Sequence, residues 1–170
     1  LQALLPQLES LRRRLAARGW EVRPGEPLKV TLCPKGYGYT GSEVAAALES
    51  GGIYPEFYDT DHVVLMVSPQ NDPAELRRLE EVLAALPRRQ AIRQGPPPMP
   101  RLEQAVTPHE AMLSPWEEVP LAACCGRISA AGALGCPPAV PVVLCGQRID
   151  AAAVEVLRYY GFRRCAVLTE

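Results

Sequence analysis

Leu1, Leu4, Leu8, Leu11 and Leu15 recur at steps of three and four and make one apolar helical stripe. Arg12, Arg13, Arg14 and Arg18 load the last turns, where cations suit the helix dipole, and Gly19 is placed to stop the helix. Two heptads are too few for a coiled coil, so the stripe is expected to dock on a sheet or on another part of the protein. The arginine run then reads as a solvated face. Leu28-Lys29-Val30-Thr31-Leu32 alternates apolar with polar, as a half-buried strand does. Residues 34–39 read as loop. Thr40-x-x-Glu43 has capping-box spacing ahead of the apolar positions Val44, Ala47 and Leu48, and Gly51-Gly52 ends that helix. Residues 53–58 and 62–67 read as two strands about the turn Asp59-Thr60-Asp61. The unbroken apolar run from Val63 to Val67 predicts a central strand covered on both faces. Asp72 then caps a helix with Pro73 and Glu75 in its first turn. Its stripe is Leu76, Leu79, Val82, Leu83 and Leu86, and Pro87 stops it. The order α-β-α-β-β-α predicts a small α/β domain of α+β layers over residues 1–94.

Gly95-Pro96-Pro97-Pro98-Met99-Pro100 is the clearest break. Consecutive prolines favour stiff polyproline geometry without ladder donors, so 95–107 reads as a proline-rich linker. Residues 108–170 then form a second small mixed α/β subdomain. A short helix is expected at 108–113, with extended pieces around Glu118-Val119 and Arg127-Ile128-Ser129. A proline-set turn at 136–141 leads into Val142-Val143-Leu144. Asp150 is placed to cap a last helix through Tyr160, and Cys165 to Leu168 resembles a final strand.

Composition changes this picture in three ways. The 18 Lys and Arg against 19 Asp and Glu leave a net charge of −1, which excludes a broadly basic nucleic-acid binder. No apolar run reaches the ~20 residues of a membrane span, and nothing near Leu1 resembles a signal peptide. Of the basic residues only Lys29 and Lys35 are lysines, so chemistry that needs an amine side chain has two candidates. The six cysteines (Cys33, Cys124, Cys125, Cys136, Cys145 and Cys165) contain no C-x-x-C pair, and His62 and His109 lie far from most of them along the chain. No metal site is therefore expected, and the thiols read as reduced, small hydrophobes of a cytosolic protein.

Gly36-x-Gly38-x-x-Gly41 has the literal spacing of a dinucleotide loop, with Asp59 near the place of a ribose-binding acid. Pro34 and Lys35 intervene before the first glycine, Asp59 sits between two strands, and later βαβ units are missing. A flexible loop entering a capped helix is the simpler account. Cys124 or Cys125 with His109 makes a nucleophile–base pair only on paper, since no third group orients it. Lys35 beside Tyr37 and Tyr39 reads as an exposed loop charge, His62 as a turn-edge residue, and Trp116 as packing over a domain junction.

Taken in order, these stretches resemble the C-terminal region of the ornithine/lysine/arginine decarboxylase family. Gly38-Tyr39-Thr40-Gly41-Ser42-Glu43, Tyr54-Pro55-Glu56-Phe57-Tyr58-Asp59 and His62 to Val67 are similar to its small domain. Ser114-Pro115, Val119-Pro120-Leu121 and Gly126-Arg127-Ile128-Ser129 resemble its post-linker segment. Pro137 to Val142 through Gly146-Gln147 resembles a Tyr-Pro-Pro-Gly-Ile-Pro…Pro-Gly-Glu stretch. Here Cys136 stands for the Tyr, Ala139 for the Gly, Cys145 for the Pro and Gln147 for the Glu. The last change removes a charge that would attract a basic substrate.

The resemblance implies a fold like the small domain of aminotransferase-type enzymes. It also implies pyridoxal phosphate (PLP) as cofactor of an intact cytoplasmic amino-acid decarboxylase linked to polyamine precursors. Such an enzyme needs a lysine bonded to PLP, and neither Lys29 nor Lys35 lies in the family's Ser-x-His-Lys setting. The chain is thus expected to lack an N-terminal PLP-binding large domain and to hold no catalytic or cofactor-binding residue of its own. It would close the active-site cleft or support a homodimer, with Thr40, Cys136, Pro137, Pro138 and Gln147 as substrate-cleft candidates. A regulatory or ligand-binding module of the same shape, and a nucleotide-binding domain using Gly36, Gly38 and Gly41, are the alternatives.

Overall fold

A computed structural model describes residues 4–134 and 140–169. Two compact units succeed one another, Leu1–Gly95 and Pro96–Glu170.

In the first unit, helix α1 (Leu4–Ala17) buries Leu4, Leu8, Leu11 and Leu15 of the expected stripe, and Leu1 lies outside the described residues. Strand β1 (Glu21–Arg23) follows, then β2 (Lys29–Cys33), a 3₁₀ helix over Pro34–Tyr37, and α2 (Gly41–Ser50). Strands β3 (Phe57–Tyr58) and β4 (Val63–Met66) and helix α3 (Pro73–Ala84) complete it. The sheet is wholly antiparallel in the order β1-β2-β4-β3, with Val30 opposite Leu65 and Val22 opposite Leu32. Val30, Leu32, Val63 and Leu65 share one core with Leu8, Leu11, Leu15, Val44, Leu48, Leu79 and Leu83, so all three helices cover the same face.

That arrangement corrects three expectations. Strand β4 is central but covered on one face only: Val63 and Leu65 are buried, whereas Met66 is 54% exposed. Among the described residues no helix of this unit packs on the other face, and an unbroken apolar run does not by itself record which face is open. The strand expected from Ile53 shrinks to two residues, because the Ile53 N–H donates to the Leu48 carbonyl at 2.9 Å and finishes α2 instead. Residues 34–37 form a 3₁₀ turn rather than loop, with Pro34 preset at its start.

The second unit begins with α4 (Pro108–Leu113), β5 (Trp116–Pro120) and a 3₁₀ turn over Leu121–Ala123. It continues with β6 (Ala133–Leu134), β7 (Val143–Leu144), α5 (Ala151–Tyr159) and β8 (Arg164–Leu168). Strands β5 and β8 pair antiparallel with Val119 opposite Cys165, and Ser129 bridges to Val167 on the other side of β8. Ile149, Val154, Val156 and Leu157 fill the core with Leu121, Val143 and Val167. Thr107 and Asp150 cap α4 and α5 through their side chains. Trp116, paired with Leu168 at the head of β5, is 61% exposed.

Candidate functional site

The polar side chains of the first unit converge where the 3₁₀ turn, the start of α2 and the 59–62 turn meet. Thr40 is the N-cap of α2: its hydroxyl accepts the Glu43 N–H at 3.3 Å, and the Glu43 carboxylate accepts the Thr40 N–H at 2.8 Å. The Thr40 N–H holds the Glu43 carboxyl below the usual carboxylate range, helped by the Thr40 hydroxyl and by Arg89 at 3.1 Å. The Thr40 hydroxyl is thus committed to the helix cap.

Lys35 is not an exposed loop charge. Its ammonium lies 2.6 Å from an Asp61 oxygen, and the two side chains are 14% and 11% exposed. It also donates to the Gln94 carbonyl at 2.7 Å. His62 is more than a turn-edge residue. Asp59 lies 3.4 Å from its Nδ1 and, with a smaller contribution from Cys33, pushes His62 up to about 9 against the effect of burial. Burial opposes ionisation of Asp59, yet hydrogen bonds from His62 and from the backbone N–H groups of Asp61 and His62 hold its carboxyl below the usual range.

The glycine spacing is explained by the chain's own packing. A β-carbon on Gly38, whose φ is +97°, would come 2.5 Å from the Arg89 β-carbon. One on Gly41 would collide with the Asp59 and His62 carbonyl oxygens. The Gly41 N–H is taken by the Thr60 carbonyl at 3.1 Å, and Asp59 turns its Oδ1 onto its own turn. Strand β2 pairs antiparallel with its neighbours rather than in a βαβ unit. These contacts remove the space and donors that a pyrophosphate would use, so the nucleotide-binding expectation is overturned.

In the second unit, Gln147 closes the turn after β7. Its Oε1 accepts the Leu144 N–H at 2.8 Å, and its backbone carbonyl accepts the Ser129 N–H at 2.8 Å. The Gly146 carbonyl accepts from both Ala105 and Val106. Gln104 donates to the Cys145 carbonyl at 2.9 Å. Cys145 itself is buried, with Sγ 3.7 Å from the Ala130 carbonyl, so it fills space where the resembling family has proline. The candidates Cys136, Pro137 and Pro138, and Ala139 with them, lie outside the described residues.

Cys124 is not presented as a nucleophile for His109. Cys124 is buried with its thiol on the Pro120 carbonyl at 3.4 Å, while His109 is exposed on α4. Burial, with the neighbouring Cys124 thiol, pushes Cys165 up to about 12, far from a reactive thiolate. Cys33, Cys124, Cys125, Cys145 and Cys165 are free thiols. Among the described residues no group of His, Cys, Asp and Glu is placed to hold a metal ion. Among the same residues no helix is long and apolar enough to cross a membrane.

Residues 88–166 match the family model of the Orn/Lys/Arg decarboxylase C-terminal domain. The match begins at Arg88, within the segment bound against the 3₁₀ turn of the first unit. The chain is 28% identical over 133 residues to the arginine decarboxylase of Bacillus subtilis (strain 168), covering 73% of this chain and 27% of that protein. The fold is similar to the lysine decarboxylase of Francisella novicida, with TM-score 0.65, 14% identity, and coverage of 99% of this chain and 40% of that one. It is also similar to the constitutive lysine decarboxylase of E. coli, with TM-score 0.61, 18% identity, and coverage of 97% and 40%. The chain therefore spans well under half the length of these relatives. Its fold is a mixed α/β arrangement with antiparallel sheets, similar to part of those decarboxylases.

Proposed function

We propose that this chain is the C-terminal portion of a PLP-dependent, cytoplasmic decarboxylase of a basic amino acid, and that it is not catalytic alone. The family match over residues 88–166 carries this reading. The lysines support its second half. The Lys29 ammonium is paired with Glu26 at 2.9 Å, and that of Lys35 is held by Asp61 and Gln94. A lysine that bonds to PLP must turn its nitrogen to the cofactor, whereas both of these nitrogens are engaged by groups of this chain. The lysines of this chain therefore do not fit the cofactor, which a large domain N-terminal to this one would hold.

In the intact enzyme the chain would close one side of the cleft or support a homodimer. Thr40, Cys136, Pro137, Pro138 and Gln147 are the proposed cleft residues. The Gln147 Oε1 is committed to the Leu144 N–H, so any substrate contact by this side chain uses its amide nitrogen. That group donates a hydrogen bond and does not attract a cation, which favours a less basic substrate than a glutamate would.

Borohydride reduction of the isolated chain with PLP, followed by peptide mapping, tests the reading. No stoichiometric adduct is expected on either lysine. A one-to-one adduct on Lys35 contradicts it.

A further inference from the structure

The segment after α3 does not leave the first unit at once. The Tyr39 hydroxyl donates to the Pro87 carbonyl at 2.7 Å. The N–H groups of Arg89 and Ile92 donate to the Tyr37 and Lys35 carbonyls at 3.1 and 3.0 Å. The Arg89 guanidinium lies 4.0 Å over the Tyr39 ring and 3.1 Å from the Glu43 carboxylate. Residues 87–94 are therefore a strap laid along the 3₁₀ turn.

The last fastening is Lys35. Its ammonium joins the Gln94 carbonyl, at 2.7 Å, to the Asp61 carboxylate, at 2.6 Å. Asp61 is in turn fixed, because its turn receives the Gly41 N–H through the Thr60 carbonyl. Immediately beyond Gln94 come Gly95, where an added β-carbon would meet nothing within 4 Å, and the boundary between the units.

We propose that Lys35 is the clasp of a releasable strap, and that it sets the point from which the chain leaves the first unit. With the clasp closed, free chain starts at Gly95. With it open, Ile92 is left on the Lys35 carbonyl alone, and once that single bond gives way the chain is held only as far as Arg89, whose N–H and guanidinium have their own partners. Residues 90–94 then add roughly 17 Å of slack at about 3.3 Å per extended residue. An ammonium bonded on two sides is suited to this work, since charge-assisted hydrogen bonds are about twice as strong as neutral ones and burial shields this pair from salt. The inference stands on the geometry of the first unit and is independent of the decarboxylase reading.

Site-resolved amide hydrogen exchange on the full chain distinguishes a clasp from a general support of the fold. In Lys35→Met the Ile92 amide is expected to exchange about tenfold faster, the change that loss of a charge-assisted hydrogen bond gives. The Arg89 amide and the amides of β2 and β4 keep their protection. Lys35→Arg, which keeps the cation, restores the Ile92 amide. The strap contains Arg88, Arg89 and Arg93, so tryptic cleavage after Arg93 should accelerate in step. Unchanged Ile92 exchange in a folded Lys35→Met protein overturns the proposal. So does equal loss of protection in strap and sheet, which makes Lys35 a support of the core. Asp61→Asn serves where Lys35→Met does not fold: it must loosen Ile92 selectively, and failure to do so also overturns the proposal.

Discussion

Asp59 turns one carboxylate oxygen onto the N–H groups of Asp61 and His62, at 2.7 and 2.6 Å, and keeps the His62 ring charged beside it. Stability that depends on pH follows. Folding raises His62 from 6.5 to about 9, so its contribution is fully present below pH 6.5 and is lost as pH rises through about 9. Allowing for solvent screening, this contribution is roughly 1–2 kcal/mol, or about 2–6 °C in the thermal midpoint. The midpoint should fall by that amount between pH 6.5 and 9, and His62→Gln should flatten the slope. An equal slope in the variant would assign it to other groups. Gly41→Ala should cost about 3 kcal/mol or more in chemical denaturation, because its β-carbon meets two backbone carbonyls that cannot rotate away. Neither effect was legible in the sequence. Lys35 and His62 were read from their chain neighbours alone, and the carboxylates that bury and pair them come from the turn the fold brings alongside.

At the scale of elements, what could be read was what is local. The leucines of α1 and the caps at Thr40 and Asp72 carry their own instructions in spacing and cap chemistry, and each sits where the spacing placed it. Strand β1 could not be read, because three residues hold one apolar side chain and the strand exists only by pairing with β2. The open face of β4 was missed for the same reason: it depends on where the helices dock. Asp72→Ala should cost α3 about 1 kcal/mol, since its carboxylate accepts the N–H groups of Ala74 and Glu75. Leu8→Ala should cost about 2–5 kcal/mol, since Leu8 is fully buried between helix and sheet. Urea midpoints measure both, and a smaller loss for Leu8 than for Asp72 would contradict the packing described.

For the whole molecule, the likeness to the decarboxylases was legible because the segments keep their prolines and glycines in order, and a likeness in order survives where single positions change. The cleft was not legible to the same degree. Cys136, Pro137 and Pro138 lie outside the described residues, Thr40 is spent on a helix cap, and Gln147 on a turn. Gln147→Glu tests the proposed cleft role. A carboxylate can still accept the Leu144 N–H, so the fold should persist while preference for a doubly cationic substrate rises by about tenfold, the effect of one new charge–charge contact. Unaltered preference would remove Gln147 from the cleft. The central claim, that this chain completes a decarboxylase it cannot replace, is tested most directly by CO₂ release from arginine, lysine and ornithine in the presence of PLP. The protein expressed from the whole reading frame should release CO₂ from at least one of them, and the 170-residue chain from none. Release by the chain alone, or none by the whole protein, would contradict it.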